Sequence, residues 1–95
     1  MEAKYKLAIR IKELCKEYGI SFYELSYKSA VPMTTLMHIV NASTNNPGVF
    51  TVIKICNGFG ITIQEFFDHE MFSTIGFDLE WYFGFDKYER YILMI

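Results

Sequence analysis

Along the first two-thirds of the chain, apolar and polar positions alternate with the 3.6-residue beat of amphipathic helices. Leu7, Ala8, Ile11, Leu14, Cys15 and Tyr18 share one face of such a repeat, Lys12, Glu13, Lys16 and Glu17 share the other, and Gly19 can turn left-handed at its end. The spacing predicts a first helix over 4–18. Ser21-Phe22-Tyr23-Glu24 then has the pattern of a capping box. In it the serine side chain accepts from the Glu24 amide, and the Glu24 carboxylate reaches back to the Ser21 amide. With Ile20 and Leu25 at the staple positions, a short second helix is predicted from Phe22 to about Ser29. Val31-Pro32 forces an extended residue and then a fixed φ, which suits proline as the first residue of a new helix. A third helix is therefore predicted over 32–40, with Leu36 and Ile39 inward behind Val31 and with Met33, Thr34, Met37 and His38 facing elsewhere.

Asn41 to Gly48 is dense in turn formers and predicts an exposed loop. Beyond it Val49, Val52, Ile53, Cys56 and Phe59 recur one turn apart, with Gly60 as the stop. Thr62-Ile63-Gln64-Glu65 is a second capping box, opening a fifth helix through Phe66 and Phe67. The predicted architecture is all-α: five helices in residues 1–68, followed by a C-terminal extension, 69–95. In the extension Phe77, Trp81, Tyr82, Phe85, Tyr88 and Tyr91 fit no single period, and Gly76 and Gly84 interrupt it. A helix over about 78–93 is preferred there to an aromatic hairpin over about 81–92. The extension serves either to pack over the fifth helix or to pair with a second copy.

Composition narrows the picture. The chain has 95 residues, 52% hydrophobic and 18% aromatic, enough for one modest core and too few for a second domain of ordinary size. The net charge of −2 argues against a polyanionic partner only if it is spread evenly, and it is not. Residues 1–68 hold seven lysines and arginines against six acidic residues, whereas 69–95 hold two against five. The acidity belongs to the extension, and the helical part is left free to present a local positive face. The opening segment interrupts its apolar residues with charges every two or three positions, unlike a signal peptide, and no window is long enough to span a bilayer. A cytoplasmic protein without membrane contact is expected. Cys15 and Cys56, far apart and without clustered histidines, form no tetrahedral zinc set and read as small buried hydrophobes. No nucleophile–base–orienter set, paired-carboxylate site or glycine-rich phosphate loop can be assembled. Neither an enzyme nor a cofactor, metal or small-molecule effector is expected.

The segment from Phe22 to Ile39 carries the functional signal. Two short helices crossing steeply need a small residue at the crossing, a tight turn and apolar anchors. Ser26, Ala30-Val31, and Leu25 with Leu36 and Ile39 supply them. From about Leu7 to Asp68 the chain resembles the Xre/Cro-type helix-turn-helix family of transcriptional repressors, including the loop ending in Asn46-Pro47 and the Gly60-Ile61-Thr62 entry into the fifth helix. The resemblance implies that the third helix enters the major groove while the helix before it braces against the backbone. It assigns Met33, Thr34, Met37 and His38 to base edges. It assigns Ser21, Phe22, Lys28, Thr35, Asn41, Ser43, Thr44 and Asn46 to phosphates. Threonine offers a hydroxyl and a methyl, methionine an apolar contact to thymine methyls, and histidine a donor to guanine or phosphate. With no arginine or lysine for the common guanine contact, the resemblance implies an A·T-leaning site.

The expected partner is double-stranded DNA, bound as a homodimer. Three positions depart from the family pattern: Phe22 stands for a glutamine that bridges a phosphate and the reading helix, Ala30 for a glycine at positive φ, and Cys15 for an arginine. These departures keep a rival reading open, in which the same fold has become an antitoxin-like or regulator-binding module and Met33 and Met37 form a patch for a protein.

Overall fold

All five helices predicted before residue 69 form, and the backbone shows what ends each one. The computed structural model describes residues 2–72. These comprise α1 (Ala3–Tyr18), α2 (Phe22–Ser29), α3 (Met33–Val40), α4 (Val49–Phe59) and α5 (Ile63–Phe67), then a single 3-10 turn, Glu70–Phe72. The described residues contain no strand. The helix and hairpin expectations for 78–93 and 81–92 lie outside the described residues.

The helices are short because the sequence stops them repeatedly, and three stops share one device. After α1 the Gly19 amide donates to the Lys16 carbonyl and the Ile20 amide to the Cys15 carbonyl; after α4, Gly60 and Ile61 repeat the pair on Asn57 and Cys56. Both glycines sit at left-handed φ, 66° and 75°, and the isoleucine after each packs against the core, as the Schellman motif prefers. After α3, Ala42 takes the same conformation at φ 55°, with Ala42 and Ser43 donating to Ile39 and His38. The Ser43 hydroxyl adds a second bond to the His38 carbonyl, 3.1 Å long.

Fully buried Ile11, Leu14, Leu25, Leu36, Ile55 and Phe66 bring all five helices to one core. The structure corrects the expected pattern at three places. On α4 the inward residues are Val52, Ile55 and Cys56, while Ile53 is half-buried and Val49 is 62% exposed; the stripe is rotated because α2 lies across the Ile55–Gly58 side. Gly58 is what allows this approach, since a Cβ there would stand 2.9 Å from the Ser29 Cβ. Ser29 is thus the small residue where α2 and α4 come closest. Pro32 caps α3 from the position before its first helical residue. The α2 capping box is only half made: Ser21 Oγ accepts from the Glu24 amide at 3.0 Å, but the Glu24 carboxylate lies 3.3 Å from Lys28 Nζ, one turn on. The Thr62–Glu65 box is complete in both directions.

Five residues are too few for a helix to stand alone, and α5 is held from outside. Phe66 is fully buried. Arg10 of α1 donates Nε to the Phe66 carbonyl (2.6 Å) and Nη2 to the Glu65 carbonyl (2.9 Å), which also accepts from the Asp68 amide, so the guanidinium sits at the negative end of α5. Arg10 is therefore a structural clasp. Just beyond, His69 accepts from the Met71 amide through Nδ1 (3.1 Å), which places its ring proton on Nε2, 3.2 Å from a Glu13 carboxylate oxygen. Cys15 and Cys56 are free thiols buried in the core, and loss of hydration raises both above the ordinary thiol pKa.

Candidate nucleic-acid interface

The turn between α2 and α3 sets the direction in which α3 points. Two serines staple it. Ser26 Oγ donates to the Val31 carbonyl at 2.6 Å, and buried Ser29 Oγ accepts from the Val31 amide at 3.2 Å. Between them Ala30 is left-handed, φ 58° and ψ 24°, the geometry expected of the glycine it replaces. Holding a Cβ there costs on the order of 1 kcal/mol. Val31, 2% exposed, seats the turn in the core.

Helical geometry then fixes what α3 shows to solvent. Residues advance about 100° each around the axis, so buried Leu36, Ile39 and Val40 define an inner sector opposite Thr34 and His38. Those two residues, one turn apart and exposed, are the centre line of the outer face; exposed Met33 and Thr35 flank it. Met37 is half-buried and packs against the core, so only its outer part adjoins this face. Val40, missed in the expected inward set, is 1% exposed. Its i, i+4 spacing from Leu36 was the available signal.

The residues with implied phosphate roles divide into three groups. At the start of α2, Ser21 Oγ uses a lone pair for the Glu24 amide, so its hydroxyl proton is free for an anion. The Phe22 and Tyr23 amides open the helix there, with no preceding turn to accept from them. The Phe22 ring itself packs against the core, so only its backbone is offered. In the loop, Asn41, Ser43 and Asn46 are exposed and Thr44 is half-buried, and the Ser43 hydroxyl donates to the His38 carbonyl. Lys28 is exposed but shares its charge with Glu24.

Two features escaped the sequence reading. Lys4 Nζ donates to Asn45 Oδ1 at 2.9 Å, tying the loop to the start of α1 across 41 residues. Tyr23 and Tyr27, 74% and 83% exposed, stand one turn apart on the outer side of α2, facing away from Leu25 and Ser29. Their i, i+4 spacing was the available signal.

Among the described residues no three His, Cys, Asp or Glu side chains cluster as a metal site, and no helix is long and apolar enough to cross a membrane. Nothing among curated proteins or solved structures matches the chain. The profile of the Cro/C1-type HTH DNA-binding domain family matches residues 10–71, running from the arginine that clasps α5 to the turn behind it. The match takes in the whole α2–α3 unit and its supports, and with it this protein belongs to the Cro/C1-type helix-turn-helix DNA-binding domain family, as a DNA-binding regulator.

Proposed function

We propose that the chain is a sequence-specific, repressor-like transcriptional regulator that reads the major groove with α3 and binds as a homodimer. The observation that carries this reading is the outward pair Thr34 and His38 on a helix whose opposite side is locked into the core by Leu36, Ile39 and Val40. Side chains that must meet base edges need such a rigid base, because hydrogen bonds to bases discriminate only when their donors are positioned in advance. Thr34 supplies a hydroxyl and a methyl, His38 a ring donor, and Met33 an apolar contact. Backbone phosphates are met by Ser21 and the first amides of α2 on one side, and by Asn41 and Asn46 on the other. Met37 contributes through its exposed edge, and Thr35, Thr44 and Lys28 through the flanks.

The absence of lysine and arginine from α3 favours thymine methyls and adenine over guanine. Selection of bound sequences from random duplex DNA tests the reading. Enriched sites should be A·T-leaning and two-fold symmetric, with half-site centres about one helical turn apart. Recovery of unenriched sequence contradicts it.

One observation favours a second reading, a module that binds another protein. Tyr23 and Tyr27 present a large amphipathic surface on α2, with Met33 of α3 also exposed, and tyrosine is enriched where proteins meet. Tyr27→Ala leaves DNA binding intact on the first reading; on the second, no duplex DNA is bound even at low salt.

A further inference from the structure

A groove of about 520 Å³ opens between the start of α1, the end of the loop, α4 and α5. Its walls carry Leu7, Val49, Val52, Ile63, Phe67 and Phe72, with no charged or hydrogen-bonding side chain among its lining residues. At its mouth Val49 is 62% exposed, and Ile63 and Phe67 are 39% exposed each. Apolar surface gathered this way is uncommon on a chain that remains in water by itself, and at this groove no polar side chain offsets it.

We propose that the groove is filled by residues 73–95 of the same chain. The described residues end at its edge. Phe66, Phe67 and Phe72 form a run of edge-to-face aromatic contacts, each pair 4.9 Å between ring centres, and Phe72 is itself part of the wall. Phe72 therefore tethers the rest of the chain at the rim. Residues 73–95 also have the chemistry to fill an apolar groove: these 23 residues hold seven of the 17 aromatic side chains, with Leu79, Ile92, Leu93 and Ile95 among them. Tethering favours them over a second copy. A segment attached at the rim meets the groove at an effective concentration on the order of millimolar, whereas a second copy brings the same residues only from solution. None of the lining residues belongs to α3, so a filled groove leaves the outer face of the reading helix open.

Trp81 is the sole tryptophan and lies in this segment, so its fluorescence in the full chain reports on the proposal without DNA. The expected result is blue-shifted emission with acrylamide quenching several-fold below that of free tryptophan, unchanged on dilution from millimolar to micromolar protein. Val49→Glu and Ile63→Glu, both at partly exposed wall positions, should each raise quenching towards the free value while far-ultraviolet helicity is retained. Tyr27→Glu, on the far side of α2, should leave it unchanged. Should Ile63→Glu unfold the bundle, the more exposed Val49→Glu decides alone. The proposal is overturned if Trp81 of the unaltered chain quenches like free tryptophan, or if its protection survives the groove substitutions. Protection that disappears on dilution also overturns it, and assigns the groove to a second copy.

Discussion

Two surfaces among the described residues, the outer face of α3 and the groove beside α5, differ in kind. The outer face of α3 is convex and mixed, with a hydroxyl and an imidazole on its centre line and methyl groups beside them; it can stay in water or exchange that water for base edges. The groove between α1, α4 and α5 is concave and lined only by apolar side chains, none of which gains from hydration. Exposure alone, then, does not mark a functional surface. What a face loses on leaving water decides whether it waits for a partner or needs a cover. One core serves both: Leu36 stands under the first face and Phe66 under the second, each fully buried.

Truncating these two residues separates the faces most strongly. Phe66→Ala should cost about 3–5 kcal/mol and Leu36→Ala about 2–5 kcal/mol in urea-monitored unfolding. At temperatures where both variants remain folded, Leu36→Ala should weaken DNA binding because α3 loses its anchor, and Phe66→Ala should not. Equal losses of DNA binding would mean that the two faces are not independent. Next in size, Gly58→Ala should destabilise by about 1–3 kcal/mol, because the new methyl meets Ser29 and Leu25 across the α2–α4 contact. A neutral result would show that α2, and the reading unit with it, shifts freely on α4.

A smaller effect of opposite sign is expected at the turn. Ala30→Gly relieves the left-handed strain of about 1 kcal/mol, and the freedom glycine adds to the unfolded chain takes back part of this. The net should be a gain below about 1 kcal/mol, read as a small rise in Tm. The smallest effect concerns the thiols. Burial raises the pKa of Cys15 and Cys56 in the folded state, so the unfolded chain releases these protons first as pH rises. Their contribution is intact at neutral pH and is lost only in alkali, beginning at the ordinary thiol range and continuing towards the raised values. Both should stay unreactive to a disulfide reagent at neutral pH until denaturant is added; fast labelling of the native chain would place one of them at the surface.

Much of the fold was legible because the stops in this sequence are local chemistry. Gly19, Gly60 and the Thr62–Glu65 box announce helix ends without reference to the rest of the chain. What stayed hidden depended on partners distant in sequence. Arg10 looks like any solvated helix residue until α5 ends beside it, and Ile55 replaces Ile53 in the core only because Gly58 lets α2 come close. Glu24 had the spacing for a reciprocal cap, but Lys28 one turn away offers its carboxylate a charged partner. In the candidate interface, Thr34 and His38 were legible from helical phase alone. Met37 lies between the faces, a distinction that needs the neighbouring helices. The Ser43 bond to the His38 carbonyl was hidden too, because it depends on Ala42 adopting a glycine-like turn.

Whether the outer face of α3 reads DNA is decided by equilibrium titration of a selected duplex with the Thr34→Ala, His38→Ala double variant at two salt concentrations. With two base contacts worth about 1–3 kcal/mol each, affinity for the selected site should fall by at least tenfold, while the slope of log affinity against log salt, set by phosphate contacts, stays as in the unaltered chain. Unchanged affinity of the double variant for the selected site would contradict a reading role for α3.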